Sequence, residues 1–240
     1  MSAAAARTSA RTKSPTAIGE RWPILIPGRA IATTAPQILA YLNDLHAGHG
    51  HAPGLAAAFA APELRGLPAI QVGMSEGKLL TLLLRLAGAK KVVEFGTLAG
   101  YSAIRMAQAL PAGGRLWTLE LETTYAAVAR EQIAEAGFAD RVEVVVGPAL
   151  ESLPALESEG PFDAVFLDAD KGRYDLYARW AALNLRRGGL LLVDNAYYFG
   201  QLLDQSPDAE AVRRCHEEAT RAFDTVCIPT PDGLLLGMKH

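Results

Sequence analysis

Two cysteines, Cys215 and Cys227, are all that the 240 residues contain, too few for a disulfide framework or a thiolate zinc centre. They fit a reducing compartment, so a cytoplasmic location is the expectation. No apolar run reaches the ~18 uninterrupted residues that a membrane-spanning helix needs, and no membrane partner is expected. Basic charge is also short: 23 Lys and Arg stand against 26 Asp and Glu, a net charge of −3. A nucleic-acid partner is therefore not expected, because a phosphate backbone demands a basic face. Aromatic residues make up 7% of the chain and charged residues 20%, yet 50% is hydrophobic, enough to fill a core and too much for a disordered chain.

What basic charge there is gathers at one end. Within residues 1–22, Arg7, Arg11, Lys13 and Arg21 oppose Glu20 alone. This Ala-, Ser- and Thr-rich opening has the composition of an organelle presequence, but reads first as a solvated tail over residues 1–35. A single domain is expected over residues 36–240. It begins with an amphipathic helix from Pro36, in which Ile38, Leu39, Leu42 and Leu45 fall at helical spacing. GHGHAPG interrupts it, and a second helix opens at Ser75 with Leu79, Leu80, Leu83 and Leu86 on one side.

After Lys91 short apolar runs alternate with helical segments, the pattern of βαβ units and a parallel sheet. Strands are predicted at 91–95, 115–119, 142–146, 162–167 and 190–193, with helices at 101–110, 124–136 and 171–185 between them. A helix over 209–222 leads to strands 225–228 and 234–238, joined by the turn Pro229-Thr230-Pro231-Asp232-Gly233. A connection that short makes the last pair antiparallel, since parallel neighbours need a long crossover. The expected fold is α/β: a Rossmann-like, doubly wound, seven-stranded and mostly parallel sheet with one antiparallel strand and an N-terminal helical extension.

Chemistry-bearing residues collect where these strands end. VVEFGTLAGYSA turns from strand to helix between Gly96 and Gly100, and glycines there allow a ligand close to the backbone and the helix N-terminus. The dinucleotide pattern G-x-G-x-x-G is not met, because position 98 is Leu98, which counts against NAD. Glu120 closes the next strand 20 positions past Gly100, where an acid can accept the ribose hydroxyls of an adenosine-containing cofactor. Gly147, Pro148 and Ala149 close the third strand, at the edge where open α/β sheets bind ligands. The fourth strand runs into Asp168, Asp170 and Lys171, and the fifth into Asp194 and Asn195. If those strands are neighbours, Asp168, Asp194 and Asn195 form a hard oxygen set that selects Mg²⁺ or Ca²⁺ over zinc.

VEFGTLAGYSA, LDADK and VDN, in that order, resemble the cation-dependent class I S-adenosylmethionine O-methyltransferases, the group that includes the catechol and caffeoyl-CoA O-methyltransferases. The resemblance covers residues 64–240. It implies S-adenosylmethionine as cofactor, with Mg²⁺ or another divalent cation such as Ca²⁺ or Mn²⁺ held by Asp168, Asp194 and Asn195. It also implies Lys171 as the catalytic base, acting beside Asp168, and Glu120 as the acid on the ribose. Val72, Glu94, Gly96, Gly100, Ser102, Ala149 and Asp168 fall at cofactor-binding positions. Asp170 matches the caffeoyl-CoA branch, where catechol enzymes carry an aromatic residue. The implied reaction is in-line transfer of a methyl group from a sulfonium to one hydroxyl of a vicinal dihydroxy aromatic, activated by the cation. A homodimer is the family default. An NAD-dependent oxidoreductase and a non-catalytic S-adenosylmethionine-binding protein are the alternatives.

Weaker features surround this set. His46, His49 and His51 have no nearby cysteine or carboxylate to complete a metal site and read as an exposed helix end. Trp22 and Trp180 read as packing residues, whereas Trp117 is placed near the adenine edge. Tyr197, Tyr198 and Phe199 either wall an aromatic substrate or pack. Neither Ser14 nor Ser102 belongs to a hydrolase pattern.

Overall fold

Strands β1 (Lys91–Phe95), β2 (Arg115–Glu120), β3 (Val142–Val146), β4 (Phe162–Leu167), β5 (Leu185–Val193), β6 (Phe223–Ile228) and β7 (Leu234–Lys239) form one sheet in a computed structural model. It describes residues 41–43, 45, 46 and 53–240. The strand order is β3-β2-β1-β4-β5-β7-β6. Pairs β1/β2, β1/β4, β2/β3 and β4/β5 are parallel, and β7 runs antiparallel to both β5 and β6. This is the expected doubly wound sheet with one reversed strand. Chain direction across the sheet switches between β1 and β4, so the loops after those two strands splay apart and leave a crevice at their carboxyl ends.

The strands are apolar on both faces because helices cover both. Helices α1 (Pro53–Arg65), α2 (Met74–Leu86), α3 (Tyr101–Ala107) and α4 (Thr123–Glu135) contribute Leu55, Leu80, Ile104 and Ile133 to the core on one face. Helices α5 (Ala149–Leu156), α6 (Tyr174–Asn184) and α7 (Pro207–Ala222) bring Leu153, Tyr177 and Val212 to the other. Ser206 caps α7 by accepting a hydrogen bond from the Ala209 amide at 3.1 Å, and Pro207 occupies the first turn, where a missing amide costs nothing. No described helix is long and apolar enough to cross a membrane.

Several expectations are corrected. Helices α1 and α5 were not anticipated; each contains a proline, Pro62 and Pro154, which removes an amide donor and disguises the helical pattern. In α2 the inward side is Gly77, Leu80, Thr81 and Leu84, whereas Leu86 is 85% exposed. Strand β5 starts at Leu185 rather than Leu190 and absorbs Gly188 and Gly189 through a register shift against β4. A 3₁₀ turn, Lys171–Arg173, precedes α6, so Lys171 sits in a tight turn and not in the helix. Of the helix expected from Pro36, residues 41–43 are helical with Leu42 exposed, and Leu45 is exposed as well; Ile38 and Leu39 lie outside the described residues, as do the 1–35 tail and Trp22.

At the sheet's opposite edge Asp163 accepts hydrogen bonds from the Lys90 and Lys91 amides, both at 2.8 Å, and from Arg186 Nε at 2.6 Å. Burial pulls its carboxyl upward, but these donors outweigh burial and hold it below its ordinary value. A carboxyl depressed in the native state contributes stability above its unfolded pKa, and loses it as pH falls through the native one. Asp163→Asn should therefore unfold at a lower temperature than the parent at neutral pH, with the gap closing in acid below pH 3.8; thermal unfolding across that range checks it.

Candidate active site

The loop after β1 is built around one close approach. Gly96 has φ +91°, and a Cβ on it would lie 2.0 Å from the Asp168 carbonyl oxygen, so any other residue there must push β1 and β4 apart. The Asp168 amide donates to the Phe95 carbonyl at 2.8 Å, and the Gly96 amide to that of Leu119 at 3.0 Å. Ends of β4, β1 and β2 are thereby locked together.

Glu120 clamps this loop. Its Oε2 accepts from the Thr97 and Leu98 amides at 3.2 and 2.8 Å, and its Oε1 from the Glu122 amide at 2.9 Å. Leu98 has φ +49°, a left-handed conformation costing a non-glycine residue about 1 kcal/mol or more, which the hydrogen bond to its amide offsets. Carboxylate oxygens have about four lone-pair sites, so three amides leave room for a ligand hydroxyl.

Over these loops lies a cavity of about 540 Å³. Val72, Gly96, Ser102, Glu120, Ala149, Asp168, Lys171 and Asn195 all line it. Three expected residues are set back from the wall. Gly100, at φ +87°, caps α3 against Ala129 and Ile133. Asp194 borders a small adjoining void with Val72, Glu76 and Leu80. Glu94 is wholly buried beneath the floor.

Glu94 is electrostatically exposed to its own neighbours. Burial raises its carboxyl to about 8, and the charges of Asp168 and Glu120 add to the rise; the Ser102 and Thr118 hydroxyls oppose it, though neither closes a hydrogen bond with either oxygen. Since its native pKa exceeds its unfolded value of 4.5, the ligand-free protein loses stability as pH climbs from there to about 8. Glu94→Gln should abolish that slope, so its melting temperature changes less than the parent's between about pH 5 and pH 9 in ligand-free thermal unfolding.

Asp168 and Asp194 follow the paired residues Leu167 and Val193 on adjacent strands, and the Asp194 amide donates to the Leu167 carbonyl at 2.9 Å. Asn195, next in the chain, has φ +53°, which asparagine tolerates well. Burial first, and then the charge of Asp168, push the Asp194 carboxyl up to about 7. Such a pair holds its full negative charge only when something positive joins it, and two carboxylates with an amide carbonyl offer oxygen alone. That donor set fits a hard divalent cation. Among the described residues no group of three or more His, Cys, Asp or Glu side chains is arranged as a metal site.

Lys171 Nζ donates to Asp168 Oδ1 at 3.1 Å and to the Tyr174 hydroxyl at 2.5 Å, with the Tyr174 ring 4.7 Å below it. Its partner is thus Asp168 and not Asp170. Asp170 instead accepts from the Tyr177 hydroxyl at 2.6 Å and pairs with Arg173 at 3.6 Å. Tyr174, Tyr177 and Arg173 were not singled out from sequence; their spacing of three, six and two positions from Lys171 places them around it once the 3₁₀ turn is known. Burial and the Asp168 charge push the Tyr174 phenol well above its ordinary value, keeping it protonated.

Trp117 is corrected to a core residue: it is buried, off the cavity wall, and packs edge-on against Phe162 at 5.7 Å. Trp180 packs on Phe95 and Phe162. Of the three aromatics after Asn195, Phe199 reaches the cavity, Tyr198 joins the core, and Tyr197 lies under Gly233. His46 is exposed, and His49 and His51 lie outside the described residues.

Residues 58–240 match the family described as O-methyltransferase. The chain belongs to the O-methyltransferase family. It is a class I S-adenosylmethionine-dependent enzyme, and the oxidoreductase and non-catalytic alternatives fall away. A catechol O-methyltransferase of Mycobacterium tuberculosis is 46% identical over 177 residues, 74% of this chain and 79% of that one. An O-methyltransferase from Bacillus cereus, solved with S-adenosylhomocysteine, is 33% identical with a TM-score of 0.79, over 84% of this chain and 96% of its own. TomG from Streptomyces achromogenes, involved in tomaymycin synthesis and solved with S-adenosylmethionine, is 35% identical with a TM-score of 0.78, over 85% and 96% of the two chains. For this methyltransferase the glycine loop and Glu120 lie at the sheet edge where the fold binds its cofactor.

Proposed function

We propose that this methyltransferase transfers a methyl group to one hydroxyl of a catechol-like small molecule with the aid of Mg²⁺. The observation that carries this reading is the meeting of Asp168, Lys171 and Asn195 on one cavity wall, with Asp194 at the adjacent strand tip. S-adenosylmethionine supplies a methyl group made electrophilic by its sulfonium. Asp168, Asp194 and Asn195 would hold a divalent cation, which would supply the charge that makes a vicinal diol acidic at neutral pH.

The chain's own residues do the rest. Glu120 orients the ribose while keeping the glycine loop in place, and Gly96, Ser102 and Val72 shape the floor for the methionine end. Glu94, beneath that floor and raised to about 8 in the ligand-free protein, ionises when the charge of an ammonium arrives to favour its carboxylate. Lys171 stands beside Asp168, fixed by the Tyr174 hydroxyl; a cation on the Asp168 carboxylate would favour loss of one ammonium proton to solvent, and the neutral Nζ would then take the hydroxyl proton as general base. Phe199, at 63% exposure, gives the acceptor ring an apolar side at the mouth of the cavity. The enzyme is further read as a cytoplasmic homodimer.

A vicinal pair of oxygens is the specific demand of this reading. Incubated with S-adenosylmethionine and Mg²⁺, a catechol should gain one methyl group by mass spectrometry, while the matching monophenol should turn over at least about 100-fold more slowly, for want of its second anchoring oxygen. Equal rates on the two would overturn it.

A further inference from the structure

The loop that follows Asn195 is strained and is held from outside the cavity. Besides Asn195, Tyr198 and Phe199 have φ +49° and +54°, conformations that bulky side chains avoid. A turn closed by the Gly200 amide on the Tyr197 carbonyl at 3.1 Å carries both residues at its centre, but none of the loop's own bonds reaches the Phe199 amide, and further contacts come from the β6–β7 turn more than thirty residues later. The Ala196 amide donates to the Gly233 carbonyl at 3.0 Å and the Tyr197 amide to the Asp232 carbonyl at 2.9 Å. The Phe199 amide donates to Asp232 Oδ1 at 2.8 Å, a charge-assisted bond to a residue that lines the cavity while remaining 63% exposed. Gly233, at φ +75°, lies flat on the Tyr197 ring: a Cβ there would meet Tyr197 Cδ1 at 2.6 Å. From α7, the His216 ring shares a hydrogen bond of 2.9 Å with the Ala196 carbonyl.

We infer that Asp232, itself off the cavity wall, is a positioning residue that sets acceptor affinity by holding Phe199 in its left-handed conformation. Its backbone carbonyl and its carboxylate grip the loop at two points, one on each side of Tyr198. The carboxylate is the part that a substitution can remove. Without it the Phe199 amide has no acceptor, the turn is left with only its local bonds from the Tyr198, Gly200 and Gln201 amides, and the ring is released from the wall. The cofactor loops, attached to β1 and β2, do not depend on this contact. This inference rests on the reading of Phe199 as an acceptor wall.

Three proteins test it: the parent, Asp232→Ala, and Asp232→Asn, whose amide oxygen still accepts the Phe199 hydrogen bond. Amide hydrogen exchange of the ligand-free protein should show Phe199 exchanging about tenfold or more faster in Asp232→Ala, with the β5–β7 amides unchanged. In steady-state assays with a catechol, KM for the acceptor should rise about tenfold in Asp232→Ala while KM for S-adenosylmethionine stays at the parent value. Asp232→Asn should restore most of both. Unchanged exchange at Phe199, or a KM rise shared equally by cofactor and acceptor, would overturn the positioning role. If the parent turns over no catechol, the proposed substrate class fails, and the exchange experiment still decides whether Asp232 holds the loop.

Discussion

Asp168→Ala should lower kcat/KM by about three orders of magnitude, the equivalent of roughly 4 kcal/mol of transition-state stabilisation. Three tasks meet at this one side chain. It donates an oxygen to the proposed cation set, it is the ion-pair partner of Lys171 at 3.1 Å, and it borders the cavity proposed for the cofactor. Fold stability should suffer little, because the backbone of Asp168, which holds β4 to β1 through the Phe95 carbonyl, is untouched. Removal of one of two mutually repelling carboxylates also takes away the second cause of the rise at Asp194, while its burial, the larger cause, remains. Steady-state kinetics beside thermal unfolding separates the two effects. A variant with near-parental turnover would remove Asp168 from the chemistry.

The second large effect is on the architecture of the cofactor edge. Gly96→Ala places a Cβ 2.0 Å from the Asp168 carbonyl and must also adopt φ +91°. Strain of this kind in a packed core costs about 3–5 kcal/mol, an overpacking cost with a positive-φ cost added. Relief requires β1 and β4 to separate at their tips, where the cavity proposed for the cofactor begins. The variant should therefore unfold at markedly lower denaturant concentration, and whatever folds should have lost its thermal stabilisation by S-adenosylhomocysteine. An alanine tolerated with parental ligand response would show that the close approach has no part in binding.

Much of this arrangement could be read from sequence because a parallel sheet buried on both sides writes its strands as uninterrupted apolar runs. KVVEF and FDAVFL are such runs, and the residues that follow them stand at the carboxyl edge by necessity. Asp168, Glu120 and Lys171 were accessible for that reason. Depth was not. Glu94 and Asp194 look like their neighbours in sequence, yet one lies under the floor and the other behind the wall, because strand alternation and helix cover decide which side chain reaches the crevice. Proline hid α1 and α5, where tertiary packing overrides a local penalty. The grip of Asp232 on Phe199 joins positions 33 residues apart and leaves no periodic trace. Similarly, Trp117 could be placed on β2 but not on a face, and its face proved to be the one toward Phe162.

Dependence on a divalent cation is the claim from which the substrate class, the role of Asp194 and the position of Lys171 all follow. Methyl transfer from S-adenosylmethionine to a catechol should fall to background when the enzyme is stripped and assayed in excess EDTA, and should return in full when Mg²⁺ is added beyond the chelator. Undiminished transfer in the chelator would contradict it.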